Sequence, residues 1–551
     1  MTLALRPPAQ VMRLERLGAL HQTRLSFMRQ LTRRMAAEGW RFARPVWRIG
    51  ADGTGHAVLT ATGPARTYSL VAFAHDLAPE ARTDRVIAEA WDATFALFDG
   101  VPGEADIARL ARNVPLQEAG RLDARCLTLS RANRSERAWD MVVSALASGR
   151  QPEAEALARV GYLMRTTAVY GSGKFGAADR ESYAYRPELA APFQAEMLTV
   201  YLIRAFVRDL AEHAARIRNP DAPRLDPALA ETLGIGNSTG LGMAPFLVNH
   251  PGLLNNWIAA RETAIARIRA LPAAAPEARA LFGDLLARAR ADLSRWTTAH
   301  PRQAPRVARL RRDLTWLSRQ PDPLGGPAPW DMLCRRAEGL SPEACELVHS
   351  LILEPYPDLV DDLAATMSCP DDGQEPLEGA MPVATLRRLL RETHGDALDA
   401  DWDAPEATAR LWYVSEEKQE PRLAERADEP LEQWEQPLAP LRDAARLWRA
   451  LSVLPDDRPA AHLLLDAPQH RAAIRRVQLA ARAPYGEIRD NTLAAGMVPV
   501  DMLRANLSFF GATRFDPRSD RWLRICMFAG APYPEALTEA CADLWVYPSA
   551  P

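Results

Sequence analysis

Of the 67 cationic residues in this 551-residue chain, only Lys174 and Lys418 are lysines, leaving 65 arginines. A guanidinium stays charged and forms no Schiff base, so a lysine kept in such a chain marks a place where a compact ammonium or a deprotonatable amine is wanted. Lys174 stands in TTAVYGSGKFGAADR among Gly171, Gly173 and Gly176, with Tyr170 and Ser172 close by. Glycines let backbone N–H groups close on an anion, and the ammonium adds a point charge, so the loop suits a phosphate or a carboxylate. It is not a Walker A loop, because Phe175 stands where the magnesium-binding hydroxyl belongs. A dinucleotide fingerprint is disfavoured too, since the residues before it read as helical rather than as the first strand of a βαβ unit. Lys418, in the acidic SEEKQEP, reads as a solvated turn lysine.

A second stretch, LGIGNSTGLGMAPFLVNHPGLLNNWIAA, holds Asn237, Asn249, Asn255 and Asn256, four of nine asparagines in the chain. Residues 232–260 contain no Asp, Glu, Lys or Arg, although 25% of the chain is charged. Hydrogen-bonding but uncharged segments tend to lie inside, where each amide needs a partner. The glycines predict a turn that leads into a helix near Ala244 and aims free N–H groups at an anion, with Asn237, Ser238 and Thr239 as side-chain donors. Asn249 and His250 would line the same pocket, and His250 or Tyr170 would carry the proton. The competing reading is a tight packing joint, with glycines there for close approach and Asn249 and His250 as turn residues before Pro251.

PYGEIRDN forms a third cluster, in which Tyr485 and Glu487 offer proton transfer and Arg489 an anion anchor. Alternating charges of this kind more often make a surface ion-pair network. His75 and Asp76 close the run SLVAFAHDL, and SRANRSER, residues 130–137, precedes a helix; both sets read first as caps. For metals there is no HExxH, no EF-hand loop and no histidine pair at ligand spacing, so no metal is expected, and no cofactor is assigned.

These groups need a scaffold. Leu14, Leu17, His21, Leu25, Met28, Leu31 and Met35 recur at intervals of three and four, which predicts one amphipathic helix packed on a sheet. RPVWRIG, HAVLTATG and ARTYSLVAFAHDL follow, separated by glycine-containing turns, and predict an antiparallel meander. Helical spacing resumes over 80–115 and dominates 130–320, while PDPLGGPAPW, residues 321–330, reads as a linker. The fold class is therefore α+β and mainly helical. An N-terminal helix with a meander occupies 1–125, a central helical domain with glycine-rich loops 126–320, and a C-terminal mixed unit 321–551. The last contains an acidic excursion over 397–440 and a strand at RWLRICMF.

Composition sets outer limits. A net charge of −3 excludes a strongly basic nucleic-acid binder. No stretch of about 18 apolar residues suggests a membrane span. The opening residues lack the apolar run of an export signal, and the six cysteines form no CxxC pair, so a reducing cytoplasm is expected. The expected activity is a metabolic enzyme acting on a small anionic carboxylate or phosphate, by lyase or group-transfer chemistry without a metal. Lys174, His250 and Tyr170 would do the chemistry, and Gly171, Ser172, Gly173, Asn237, Ser238, Thr239, Asn249 and Arg489 would bind the substrate. Two alternatives are a non-catalytic interaction protein using the Gly/Asn segment as an interface, and a nucleotide-dependent ligase or transferase. Homo-oligomerisation is left open.

Overall fold

The computed structural model describes residues 4–19, 22–77, 90–117, 124–171, 185–240, 251–294, 301, 303–320, 322–367, 377–402, 440–488, 508–509, 511, 514–517, 522–543 and 545. Nine strands form one mixed sheet in the order β1-β2-β3-β4-β5-β6-β7-β9-β8. They are β1 (Arg41–Ile49), β2 (Gly55–Thr62), β3 (Thr67–Ala74), β4 (Ala93–Asp99), β5 (Cys126–Arg134), β6 (Tyr162–Gly171), β7 (Gly234–Gly240), β8 (Arg514–Pro517) and β9 (Trp522–Met527).

β1 to β3 are the expected meander, turning through Gly53 at a left-handed φ of 77°. Period-2 alternation then sorts the side chains onto two faces. Leu70, Ala72 and Ala74 join the main core, whereas Val71 and Phe73 meet Ala96, Phe98 and Leu129 on the other side. Both faces are buried, which is why these strands read as continuous apolar runs. Arg41, Arg44 and Pro45 are exposed on the edge strand β1, and its register shifts between Ala43 and Val46, so the edge is a poor template for further pairing.

The helices introduced here are α1 (Phe27–Ala37), α2 (Glu104–Asn113), α3 (Ala138–Ala147), α4 (Gln194–Arg218), α5 (Pro251–Arg269), α6 (Pro276–Ser294), α7 (Gln303–Ser318), α8 (Pro329–Ala337), α9 (Pro342–Leu351), α10 (Val383–Leu398), α11 (Pro440–Ser452) and α12 (Arg471–Arg482). α4 is central. It lies across β3, β4, β5, β6 and β7, and its apolar stripe from Met197 to Leu210 is buried. α2 covers the opposite face through Leu110. α10, α11 and α12 have a separate core around Val383, Leu386, Leu447 and Ile474. Among the described residues no helix is long and apolar enough to cross a membrane.

Several expectations change. The stripe from Leu14 to Met35 is not one helix: a short 3-10 turn covers Leu14–Arg16, and α1 begins only at Phe27. α1 packs on α4 rather than on the sheet, with Phe27 set against Phe193 and Trp257. The alternation in ATFALFD makes residues 93–99 a strand inside a stretch read as helical. The region 130–320 is not wholly helical either, because it supplies β6 and β7 together with most of β5. Thr166, Thr167 and Val169 are β-branched and favour the pleated conformation that the helical reading passed over. The protein is thus a mixed α/β structure whose sheet takes strands from all three expected stretches. Most of the acidic excursion, including LWYVS, lies outside the described residues.

Close approach explains two glycines of β7. A Cβ on Gly234 would stand 2.4 Å from the Met527 carbonyl oxygen and 2.9 Å from the Ala529 nitrogen, and one on Gly236 would meet the Tyr162 ring at 2.6 Å. Backbone cannot yield as a flexible side chain can, so Gly234→Ala is expected to destabilise the chain by about 1–3 kcal/mol. An unchanged denaturant midpoint in Gly234→Ala would show that β9 is free to shift away.

Candidate functional site

β6 and β7 are the one parallel pair among the described strands, with Tyr162 opposite Gly234, Arg165 opposite Gly236 and Thr166 opposite Asn237. Both strands therefore finish at the same end of the sheet, β6 at Gly171 and β7 at Gly240. The strand that precedes the lysine loop and the strand that opens the asparagine segment, distant in sequence, end side by side.

Parallel neighbours require a crossover, and α4 provides it. Thr128, paired with Gly171, shares a 2.7 Å hydrogen bond with Thr199 of α4. The start of α4 therefore lies at the end where β6 finishes. The GSGKFG pattern does follow a strand and does sit in a β6–α4–β7 frame, contrary to the sequence-based expectation. The frame departs from a dinucleotide site in one respect: a 3-10 turn at Pro187–Leu189 lies between the glycines and Gln194, so the glycines do not open the helix. Glu196 is buried in the first turn of α4, where it already answers the positive end of the helix dipole.

The candidate residues divide accordingly. The backbones of Tyr170 and Gly171 belong to β6, and those of Asn237, Ser238 and Thr239 to β7. Residues 234–240 are thus a strand rather than the expected glycine-rich turn. β7 is held on both edges, since Asn237 also pairs with Ile525 of β9. Ser172, Gly173, Lys174, Asn249, His250 and Arg489 lie outside the described residues, as does the helix start expected near Ala244. In the third cluster, Glu487 pairs with Arg476 at 2.7 Å, and the Tyr485 hydroxyl donates to the Arg6 carbonyl at 2.7 Å. Both make structural contacts.

The sequence reading missed two buried ionic clusters. In the first, the Arg6 guanidinium reaches Glu262 at 2.7 Å and Glu346 at 2.9 Å, and its Nη1 lies 3.3 Å from His349 Nδ1. Arg261 contributes a second guanidinium beside Glu262. Burial alone would raise the Glu346 carboxyl, but Arg6 and Arg261 outweigh it and hold it well below the usual carboxylate range. Burial, reinforced by Arg6, pushes His349 far below its ordinary value, and burial with Glu346 pushes the Cys345 thiol up. The imidazole and thiol are therefore uncharged near neutral pH.

Glu338, Cys345 and His349 bring carboxylate, sulfur and ring nitrogen within 4.8 Å of one another, a grouping that suggests a metal. Arg16 already supplies the cation: its Nη1 stands 3.0 Å from Cys345 Sγ and 3.1 Å from Glu338. A metal would have to displace that guanidinium and ionise a raised thiol, so these residues fit the ionic joint better than a metal site.

The second cluster ties α1 to the distal part of the chain. Arg24 pairs with Asp361 and Asp543, each at 2.7 Å. Arg29 is fully buried and pairs with Glu354 at 2.6 Å and with Asp543. Burial would raise the Asp543 carboxyl, but Arg29, Arg33 and Arg24 hold it far below its usual range. No periodicity in the sequence announces these arginines, because a buried guanidinium and a solvated one occupy similar places beside an apolar stripe.

Comparison with protein families, with curated proteins and with solved structures finds no match. The fold defines the class: a mixed sheet crossed by one long helix, with a single parallel step among the described strands.

Removing one charge from a buried pair strands the other, so Glu346→Gln is expected to cost about 3–5 kcal/mol. Glu338→Gln, whose side chain is partly exposed, should cost under about 1 kcal/mol. Equal denaturant midpoints for the two variants would refute this ranking. The depressed Glu346 and Asp543 carboxyls bind protons less readily folded than unfolded, so their contribution is complete above the ordinary carboxylate value of about 4 and is lost as pH falls below it. Urea midpoints should fall steeply below about pH 5, and in Asp543→Asn that fall should be shallower. Parallel pH profiles for the two chains would exclude Asp543 as a cause.

Proposed function

We propose that this chain is an enzyme acting on a small anionic metabolite, a carboxylate or a phosphate, at the carboxyl ends of β6 and β7. The carrying observation is the parallel step itself: the lone loop lysine and the charge-free asparagine segment follow two adjacent strands that end on the same side. In open α/β sheets, ligands bind outside the carboxyl ends of strands, where neighbouring connections diverge. Lys174 is assigned as anion anchor or base, Asn237, Ser238 and Thr239 as donors to the anion, and His250 or Tyr170 as proton carrier. The reaction class assigned is lyase or group transfer. Glu196 already answers the N-terminus of α4, so the anion's charge is left to Lys174 rather than to the helix.

Two observations bear on the alternatives. The β6–α4–β7 frame favours a nucleotide-binding reading more than the sequence did, but Phe175 and the 3-10 turn ahead of α4 count against it. The tight packing of Gly234 and Gly236 favours a structural role for those two glycines, which moves the weight of the assignment onto Lys174.

The test uses the full chain with succinate and inorganic phosphate as probes. Thermal unfolding of the wild type should shift upward with at least one of them, and Lys174→Ala should lose that response. Lys174→Arg should keep binding and lose turnover of any substrate found if the amine takes part in the chemistry. A Lys174→Ala chain that responds as the wild type does to both anions would remove Lys174 from the site.

A further inference from the structure

The helical unit around α10 and α11 has a core of its own and carries a cavity unconnected with the reading above. Trp402, Arg442, Ala445, Arg446 and Arg449 line a space of about 250 Å³. The three arginines recur on successive turns of α11, so they form one stripe, with the small Ala445 between them. The opposite stripe of α11, including Ala444, Leu447 and Leu451, is buried in the core shared with α10 and α12. Trp402 is fixed: its indole Nε1 donates to the Ala397 carbonyl at 3.0 Å, and its ring packs with Leu441 and Ala445.

The arginines of this unit are not all placed alike. Arg388 meets Glu392 at 3.0 Å, Arg391 meets Asp399 at 3.2 Å, and Arg458 meets Asp466 at 3.1 Å. Arg387 meets Asp456 at 2.5 Å. On the cavity stripe, the nearest carboxylate to Arg446 among the described residues is that of Asp443 at 3.8 Å, beyond hydrogen-bond reach. Arg442 goes further, because its Nε is shut off from solvent and makes no hydrogen bond. A buried charged donor left unmet costs more than an ordinary hydrogen bond returns, so the arrangement is stable at lower cost with an oxygen acceptor in the cavity.

We propose that this cavity is a second anion site, which takes a small phosphate-bearing metabolite of at least two negative charges. Planar guanidinium forks match phosphate oxygens in pairs, and Arg442 and Arg446 on one concave face, beside an Arg449 that is already engaged, favour a polyanion over a monocarboxylate. The volume admits a compact molecule such as a diphosphate or a sugar phosphate, and is too small for a helix or a folded partner. None of its residues belongs to the β6–β7 site, so either assignment can fail without the other.

Calorimetric titration of the full chain with inorganic pyrophosphate, without magnesium and at low ionic strength, tests the proposal. Binding is expected in the wild type and in Lys174→Ala alike, weakening as salt rises. Arg446→Glu and Arg442→Gln should each lower affinity by about tenfold or more, the loss of one charge-assisted hydrogen bond. Arg446 is exposed and makes no close ion pair among the described residues, so its reversal should leave the circular dichroism spectrum and melting temperature near those of the wild type. No heat of binding in the wild type overturns the site, the result expected if the chain's own carboxylates already neutralise the stripe. Full affinity in a folded Arg446→Glu also overturns it. Binding lost in Lys174→Ala but kept in Arg446→Glu would place the anion at β6–β7 instead.

Discussion

A parallel step in an otherwise antiparallel sheet forces the chain to travel the length of the sheet before it can pair again. Here that step lies between β6 and β7, and the return is made by α4, a 25-residue helix. Much else follows from its placement. Tyr201 of α4 donates to the Pro532 carbonyl, and Arg204 donates to the Leu233 carbonyl just before β7 while stacking over Tyr533. The helix therefore fixes where β7 starts and also holds the segment that follows β9. It seals one face of the meander as well, and α1 leans on it through Phe27 and Phe193.

The ionic clusters do a different kind of work. Arg6, Arg261, Glu262 and Glu346 are each almost wholly withdrawn from water, and they belong to the N-terminal segment, α5 and α9. Apolar residues of similar volume would often hold such a joint at least as firmly. What the charges add is register: a guanidinium between two carboxylates has one good position, whereas an apolar face tolerates sliding. Cys345 and His349, kept uncharged beside them, complete the joint without offering a nucleophile or a proton carrier near neutral pH.

The sequence made the meander legible because Val, Thr and aromatic residues alternate there and Gly53 marks the turn. It made β9 legible because RWLRICMF is an apolar run that follows the turn-rich FGATRFDPRSD. It hid β6 and β7, for opposite reasons. In β6, Leu163, Met164 and Arg165 are good helix formers, and tertiary pairing overrides them. In β7, GIGNSTG has almost no β-propensity, and Gly234 and Gly236 are required because Met527 and Tyr162 press against them. Once those strands were missed, the crossover could not be inferred, and the shared exit of the two candidate segments was invisible. The unusual lysine and the absence of charge over 232–260 were nevertheless visible, since both are compositional. Buried arginines, the stripe on α11 among them, left no trace in a chain where arginine is everywhere.

The clasp between Asp543 and the arginines of the first forty residues bears on how the protein is made. Arg29 is fully enclosed in the finished fold, yet one of its two carboxylate partners lies 514 residues further along the chain. At roughly 5–20 residues per second, the N-terminal segment waits on the order of a minute before that partner exists. β8 and β9 arrive equally late, so β7 has an unpaired flank until then. The meander has neighbours enough to form early, but the sheet as a whole closes only after β8 and β9 have left the ribosome. During that interval the nascent protein has an open strand edge, and Arg24, Arg29 and Arg33 lack the carboxylate they share, the condition in which a chaperone or a premature encounter between two growing chains matters most.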